Sequence, residues 1–179
     1  AEKLSKLGDT FIMDAFATAH RNHASTSVIA QFFPKDKYFG LLMEHEINNL
    51  QKVLNTRDTP FTAVIGGAKV STKIDIIKNL ISKVDNIIIG GGMSFTFIKS
   101  LGGNVGDSLY EADKIDLAKE LVQEMMLKGV NLILPIDIIA ADSFSNTAKI
   151  QHVDSHAIPN GWMGLDIGVK SRRRFAEII

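Results

Sequence analysis

Residues 61–92 read FTAVIGGAKVSTKIDIIKNLISKVDNIIIGGG, and this stretch decides the fold. Phe61–Ile65 and Asn86–Ile89 are short apolar runs rich in β-branched residues, which is typical of strands that are buried on both faces. Each run ends in glycines. Between them, apolar residues at three- and four-residue spacing predict an amphipathic helix: Ile74, Ile77, Ile81 and Val84. Strand, helix and strand in this order indicate a parallel sheet.

The alternation of strands and helices continues on either side of this stretch. Toward the C-terminus, Glu111–Lys128 predicts a helix that Gly129 ends, and Val130–Leu134 predicts a third strand. Toward the N-terminus, Thr10–Met13 predicts a strand. The segment Gly40–Leu54 predicts a helix with one apolar stripe, made of Met43, Ile47, Leu50 and Leu54. Residues 148–158 show only a looser alternation that suggests extended segments. The sequence thus predicts an α/β fold with a parallel sheet covered on both faces.

Composition excludes several classes of function. The 179 residues carry 20 Lys+Arg and 20 Asp+Glu, so a nucleic-acid or membrane-surface protein held by bulk charge is not expected. Without cysteine there is no disulfide, no thiolate zinc site and no thiol nucleophile. Apolar runs are far too short for a membrane span, and the first residues lack the apolar core of a secretory signal. We therefore expect a cytoplasmic protein.

Both ends of the sequence have the character of helices. Ala1–Leu7 has the pattern of final helical turns stopped by Gly8, and Ser171–Ile179 has the pattern of a helix that begins. A sequence that starts in one helix and stops in another predicts a piece of a longer protein.

Two glycine clusters with nearby lysines are the first candidate for a ligand site. Gly66-Gly67 and Gly90-Gly91-Gly92 follow consecutive predicted strands, where ligands of open parallel sheets bind. Glycines let a backbone approach a phosphate chain, and Lys69 and Lys73, four residues apart on a predicted helix opening, would project toward the same ligand. The spacing matches neither the P-loop nor the dinucleotide fingerprint. The competing interpretation is that the glycines only form tight turns and the lysines are solvated.

A second candidate site follows the first strand, at residues 14–26. Arg21 offers a planar fork for phosphate or carboxylate, and nearby donors extend it: His20, His23 and Ser25. The two histidines also suggest a metal pair, but no third ligand is suitably spaced. The alternatives are a structural loop bonded to itself and, for Asp14, a turn or cap residue.

Two smaller features complete the candidates. Asp137 follows the third predicted strand and either takes a cation or caps a turn. Trp162, Met163 and Leu165 lie among glycines and either form an apolar slot for a flat ring or belong to the core.

Taken in order, these motifs resemble the phosphoglycerate kinase family from about Gly8 to the end of the chain. The segments that carry the resemblance are Asp14-Ala15-Phe16-x-Thr18-Ala19-His20-Arg21, Gly66-Gly67-Ala68-Lys69-Val70-Ser71-x-Lys73-Ile74, Gly90-Gly91-Gly92-Met93, Pro135-x-Asp137 and Gly161-Trp162-Met163-Gly164-Leu165-Asp166-Ile167-Gly168. The resemblance implies two doubly wound, Rossmann-like α/β domains that face each other across a cleft. It also implies reversible phosphoryl transfer between 1,3-bisphosphoglycerate and ADP, giving 3-phosphoglycerate and ATP in glycolysis, with Mg²⁺ bound to the nucleotide.

The resemblance also implies a division of the chain. Residues 1–39 are expected to be the end of a phosphoglycerate-binding domain, residues 40–58 an interdomain helix and linker, and residues 59–179 the first part of a nucleotide-binding domain. The monomer is the expected state.

Roles for individual residues follow from the same resemblance. Lys69, Lys73 and Arg21 are implied as catalytic residues, and Arg21 and His20 as ligands of the phosphoglycerate. The implied nucleotide ligands are Gly66, Gly67, Ala68, Lys69, Lys73, Gly91, Gly164 and Leu165, with Leu165 near the adenine. No metal ligand is expected among these 179 residues.

Departures from the family pattern are of two kinds. Met13, Thr72 and Val169 replace the usual Asn, Asp and Pro, which are tolerable changes. The early substrate motif, most substrate arginines and the late Gly-Gly-Gly-Asp loop that holds magnesium do not occur, so we expect the 179 residues alone to be inactive. A non-catalytic nucleotide-binding module is the alternative. A dinucleotide-dependent oxidoreductase is weaker, because its fingerprint is missing.

Overall fold

The computed structural model describes residues 1–55 and 59–179. The last three residues of the predicted interdomain helix and linker, 56–58, lie outside the described residues. Backbone packing divides the chain into two units, Ala1–Arg57 and Asp58–Ile179. The assignment of these units to a substrate domain and a nucleotide domain remains a prediction.

The first unit is built on two short parallel strands. Strand β1 (Phe11–Met13) pairs in register with β2 (Lys37–Phe39). Around them lie helices α1 (Glu2–Ser5) and α2 (Phe16–Ala19), a π turn at Ala24–Val28, a 3₁₀ turn at Ile29–Phe32 and helix α3 (Leu41–Asn55). The predicted strand and long helix are therefore both present.

Few side chains are buried in this unit. Its core consists of Met13, Ile29, Phe33 and Met43, and the Phe33 ring stacks on Phe11 with the centroids 6.0 Å apart. The predicted apolar stripe of α3 is buried only at its start, because Ile47 is half-buried and Leu50 is exposed. Nothing is described for the side chain of Leu54.

The second unit contains the parallel sheet predicted from residues 61–92. Strands β3 (Thr62–Ile65), β4 (Asn86–Ile89) and β6 (Asn131–Ile133) pair in the order β3-β4-β6, all parallel. Helices α4 (Ile74–Ile81), α5 (Met93–Ser100) and α6 (Ile115–Leu127) connect them. Central β4 is fully buried at Ile87, Ile88 and Ile89, as an uninterrupted β-branched run requires.

Beyond the parallel sheet, the second unit contains an antiparallel sheet, a short strand pair and a C-terminal helix. The sequence pattern predicted the helix from Ser171 onward but not the pairing of these strands. Strands β7 (Asp137–Ala141), β8 (Ile150–Asp154) and β10 (Met163–Ile167) form an antiparallel sheet in the order β10-β7-β8. Strand β5 (Asn104–Val105) pairs with β9 (Ala157–Ile158), and helix α7 (Val169–Ile178) follows β10. Residues 148–158 were predicted as extended, which β8 and β9 confirm.

Candidate functional site

The second unit contains a cavity of about 390 Å³ at the carboxyl ends of β3 and β4. One end is formed by backbone from the two glycine clusters, at Gly67, Ala68, Gly91 and Gly92. The other end is largely apolar and is lined by Phe95, Leu109, Ile138, Phe144, Met163, Gly164, Leu165 and Ile167, with Ser94 and Asp166 as the polar side chains. A cavity with one backbone-lined end and one apolar end suits a ligand with an anionic and a flat part.

The two glycine clusters pack directly on each other at the backbone-lined end. Gly91 has φ +67°, and a Cβ at this position would lie 2.9 Å from the carbonyl oxygen of Gly67. Met93 N donates a hydrogen bond of 2.9 Å to the same Gly67 oxygen and begins helix α5. Only glycine at position 91 permits this approach, which brings the N-terminus of α5 to the cavity.

Close packing also shapes the apolar end. A Cβ on Gly164 would collide with the Phe95 ring and crowd Ile138, so the absence of a side chain there keeps β10 against α5. Gly164 N donates to Ser108 Oγ at 2.8 Å, which fixes the strand edge. Leu165 is 45% exposed and Phe144 87% exposed, so both apolar side chains are available to a ligand.

The two lysines lie on the loop between β3 and α4, outside the helix. Lys73 is the residue before α4, with φ −122° and ψ 2°, and Lys69 lies earlier in the loop. The expectation that both project from one side of a helix opening is therefore wrong. Val70, fully buried between them, takes the chain into the core before the helix begins at Ile74.

The second candidate loop lies in the first unit, and its backbone is bonded to itself. The carbonyl oxygen of Arg21 accepts hydrogen bonds from Thr26 Oγ1 (2.8 Å) and Ser27 Oγ (2.9 Å). The side chains of His20 and Arg21 are exposed on this loop. The interpretation as a structural loop bonded to itself therefore holds for the backbone. The exposed guanidinium of Arg21 is still accessible to an anion, so its role in anion binding stays a prediction.

Asp14, beside this loop, is a helix cap. Its Oδ1 accepts a 2.8 Å hydrogen bond from Met43 N in the first turn of α3, and a Cβ on Gly40 would collide with its carboxylate. Asp14 therefore satisfies a free N–H group at the start of α3.

The comparisons with known proteins agree with this architecture. The family model described as "PGK: Phosphoglycerate kinase" matches residues 1–179. The chain belongs to the phosphoglycerate kinase family. A curated phosphoglycerate kinase from Porphyromonas gingivalis is 50% identical over 179 residues, covering 99% of this chain and 43% of that protein.

Solved structures of phosphoglycerate kinases match as well. The enzyme from Coxiella burnetii aligns with a TM-score of 0.86 and 38% identity, covering 99% of this chain and 45% of that one. The enzyme from Pyrococcus horikoshii OT3 aligns with a TM-score of 0.82 and 26% identity over the same shares. The predicted Rossmann-like α/β class is confirmed, and the chain spans less than half the length of these phosphoglycerate kinases.

The predicted nucleotide ligands of this phosphoglycerate kinase family member fall into two groups. Five of them line the cavity: Gly67, Ala68, Gly91, Gly164 and Leu165. Three do not line it and lie on the adjoining loop: Gly66, Lys69 and Lys73. Of the predicted apolar slot, Met163 and Leu165 line the cavity, whereas Trp162 packs against the core. The roles of all these residues remain predictions.

Some of the residues that line the cavity are not predicted by the sequence patterns. Phe95 lies on α5, three residues beyond Gly92, and Leu109 and Ile138 come from separate segments of the chain. Phe144 carried a usable signal, because it is a single aromatic residue in the polar run Asp142–Asn146. An aromatic side chain in such a loop has no core to enter and points to a ligand surface.

Asp137 caps a helix. Its Oδ1 accepts from Ser171 N (2.7 Å) and from Ser171 Oγ (2.6 Å), while Oδ2 accepts from Lys170 N (3.0 Å), in the first turn of α7. Burial raises the pKa of this carboxyl, but the hydrogen bonds from Ser171 and Lys170 outweigh it and leave the pKa below its usual value. Of the two interpretations of Asp137, the cap is the one this geometry supports.

Within residues 1–55 and 59–179, no three His, Asp or Glu side chains are grouped so that they could hold a metal ion. His20 and His23 thus gain no third ligand from the described part of the chain. No helix among the described residues is long and apolar enough to cross a bilayer.

Proposed function

We propose that the second unit binds ADP or ATP in the 390 Å³ cavity. The observation that carries this proposal is that the cavity has an apolar end and a glycine-lined end and adjoins a loop with two lysines. The flat adenine suits the slot between Gly164, Leu165 and Phe95, because it buries apolar surface there. The phosphates suit the glycine-lined end, where the N-terminus of α5 offers the positive end of its helix dipole and Lys69 and Lys73 offer positive charge.

The reaction proposed for the whole protein is that of a phosphoglycerate kinase, a phosphotransferase with a carboxyl group as acceptor. A β-phosphate oxygen of ADP attacks the acyl phosphate of 1,3-bisphosphoglycerate, the bond between phosphorus and the carboxyl oxygen breaks, and ATP and 3-phosphoglycerate form. No covalent enzyme intermediate is required, so the protein acts by positioning and by neutralising charge. Lys69 and Lys73 would serve the transferring group, and Arg21 with His20 would hold the phosphoglycerate.

Several further properties belong to the same proposal. Mg²⁺ would be bound to the phosphates of the nucleotide and would neutralise part of their charge. The protein would act in the cytoplasm as a monomer, without a nucleic-acid or membrane partner. The helix α3 would serve as the interdomain helix.

Calorimetry with ADP tests the nucleotide site. The wild-type chain is expected to bind ADP, and Lys69→Ala and Lys73→Ala are each expected to weaken binding by about tenfold, since each removes a charge-assisted contact. Lys83→Ala, which removes a lysine from the turn after α4, is the control and should bind like wild type. No heat of binding, or equal affinity in all four proteins, would contradict the proposed site.

A coupled assay of ATP formation tests the second half of the proposal. The 179 residues contain neither the magnesium loop nor most of the substrate arginines of the family, so they are expected to bind ADP without turnover. A chain joined to the missing motifs should turn over, and Arg21→Ala should abolish that activity. If such a chain binds ADP but remains inactive, the protein is a non-catalytic nucleotide-binding module.

A further inference from the structure

Glu111 makes a paired contact with the loop that carries the two lysines. Its Oε1 accepts a 2.6 Å hydrogen bond from Ser71 Oγ, and its Oε2 accepts a 3.0 Å hydrogen bond from Ser71 N. Ser71 lies midway between Lys69 and Lys73. Both oxygens of one carboxylate are thus used to hold the residue between the two proposed phosphate ligands.

Glu111 is itself fixed to the core of the second unit. Its backbone N–H donates a 3.1 Å hydrogen bond to Thr96 Oγ1, and Thr96 is fully buried on helix α5. Helix α5 is the element whose N-terminus reaches the glycine-lined end of the cavity. Hydrogen bonds therefore connect α5 through Glu111 to Ser71. They fix the loop that carries the two lysines relative to the helix that begins at the cavity.

The remaining contacts of this loop are mostly local. Gly66, Gly67, Ala68 and Lys69 are all exposed. Thr72 Oγ1 donates to the oxygen of Lys69 at 3.0 Å, and Lys73 N donates to the oxygen of Val70 at 2.8 Å. Such bonds shape the loop but do not set its position. Its position depends on Met93 N bonding to Gly67, on buried Val70 and on Glu111.

Charge supports a positioning role over direct participation. A free carboxylate beside two lysines would compete with a phosphate for them. In the structure both carboxylate oxygens of Glu111 accept hydrogen bonds from Ser71, so Glu111 acts on the loop through Ser71.

We propose that Glu111 is a positioning residue, which holds the Ser71 segment so that Lys69 and Lys73 face the phosphates of a bound nucleotide. This inference rests on the proposed nucleotide site, and it assigns Glu111 no contact with the substrate. It predicts that losing the carboxylate weakens recognition of phosphate and leaves recognition of the nucleoside intact.

Calorimetry with two ligands tests the role, using ADP and adenosine with wild type and Glu111→Gln. The variant keeps the shape of the side chain but replaces one acceptor oxygen by a donor, so ADP affinity is expected to fall about tenfold. Adenosine affinity should stay within about twofold, because the apolar slot is untouched. Ser71→Ala should weaken ADP binding by a smaller factor. The double variant with Glu111→Gln should bind ADP about as weakly as Glu111→Gln alone. The matched control is Glu120→Gln on the exposed side of α6, which should bind both ligands like wild type.

Equal losses for ADP and adenosine would show general damage to the second unit and would overturn the positioning role. Unchanged ADP affinity in Glu111→Gln would overturn it as well. Amide hydrogen exchange in the ligand-free chain tests the contact between Glu111 and Ser71 without relying on nucleotide binding. There, Glu111→Gln should speed exchange at Ser71 by about tenfold and leave β4 unchanged. If wild type binds neither ligand, the proposed function fails, and unchanged exchange at Ser71 would then reject the contact with Glu111 separately.

Discussion

Gly91 illustrates at the scale of one residue how a backbone requirement builds the cavity. Its φ of +67° lies in the left-handed region, and the carbonyl oxygen of Gly67 leaves no room for a Cβ. Two independent constraints, conformation and space, thus apply to the same residue. Gly90, one residue earlier, carries neither constraint, because a Cβ there would meet nothing within 4 Å.

We expect Gly91→Ala to lower the free energy of unfolding by about 1–2 kcal/mol, the cost of a left-handed alanine plus some crowding. It should also weaken ADP binding, because the two glycine loops must separate. The measurements are urea unfolding and calorimetry, with Gly90→Ala as the matched control. Equal effects of the two substitutions would contradict the role given to the contact between Gly91 and Gly67.

At the same scale, the sequence predicted several of the residues that line the cavity, but it did not predict the geometry of the lysine loop. The glycines were found because strand ends and backbone freedom are local properties, and Gly67, Gly91 and Gly164 do line the cavity. Lys69 and Lys73 were placed on a helix, since four-residue spacing favours that arrangement. Burial of Val70 delays the helix, and this depends on a core that local spacing does not describe.

Among the secondary-structure elements, the parallel sheet was predictable from the sequence and the pairing of the antiparallel sheet was not. Strand β4 is a continuous β-branched run between a polar turn and glycines, so its own residues identify it. Strand β7 consists of only five residues directly after β6 and Pro135, and its partners are β8 and β10. Its pairing with β10 joins residues more than twenty positions apart, which no local pattern reveals.

The junction between β7 and α7 is held by Asp137 and Ser171. Ser171 Oγ accepts hydrogen bonds from Ile136 N (2.9 Å) and Asp137 N (3.0 Å), and Ser171 is fully buried. A Cβ on Gly168 would collide with the Asp137 carboxylate, so the glycine lets the carboxylate reach the helix. The junction also bears on the cavity, because Ile138 of β7 and Ile167 of β10 line it.

We expect Asp137→Asn to lower the free energy of unfolding by about 1 kcal/mol near neutral pH, because an amide accepts the first-turn N–H bonds less well. The pKa of the Asp137 carboxyl is lower in the folded protein, so its stabilisation is present above the unfolded pKa and is lost as pH falls through the folded one. The difference in the free energy of unfolding between wild type and Asp137→Asn should therefore become smaller below about pH 4.

Urea unfolding between pH 7 and pH 3 measures this difference. Asp75→Asn makes the same change in the first turn of α4 and serves as the control, with an expected effect below about 0.5 kcal/mol. A difference between wild type and Asp137→Asn that stays constant over this range would show that the carboxylate charge plays no part in the cap.

For the whole molecule, burial differs sharply between the two units. In the first unit the best-buried side chains, Met13, Ile29, Phe33 and Met43, are still 6–9% exposed, and its two strands have three residues each. The second unit has side chains with no exposed surface on several elements, including Ile77, Ile87 and Phe97. Because burial of apolar surface is the main source of stability, the units should differ in the free energy of local opening.

We predict that the first unit opens at a lower free energy than the second. Amide hydrogen exchange followed by mass spectrometry should find β1 and β2 exchanging at least about 100-fold faster than β4 and α6. Saturating ADP, at about 100 times its dissociation constant, should slow exchange in the second unit by up to about 100-fold wherever opening releases the ligand. The first unit should stay unchanged, since its residues line no part of the cavity. Uniform protection of both units, or equal slowing by ADP, would mean that the chain opens as one cooperative body and that the sparse core of the first unit does not limit its stability.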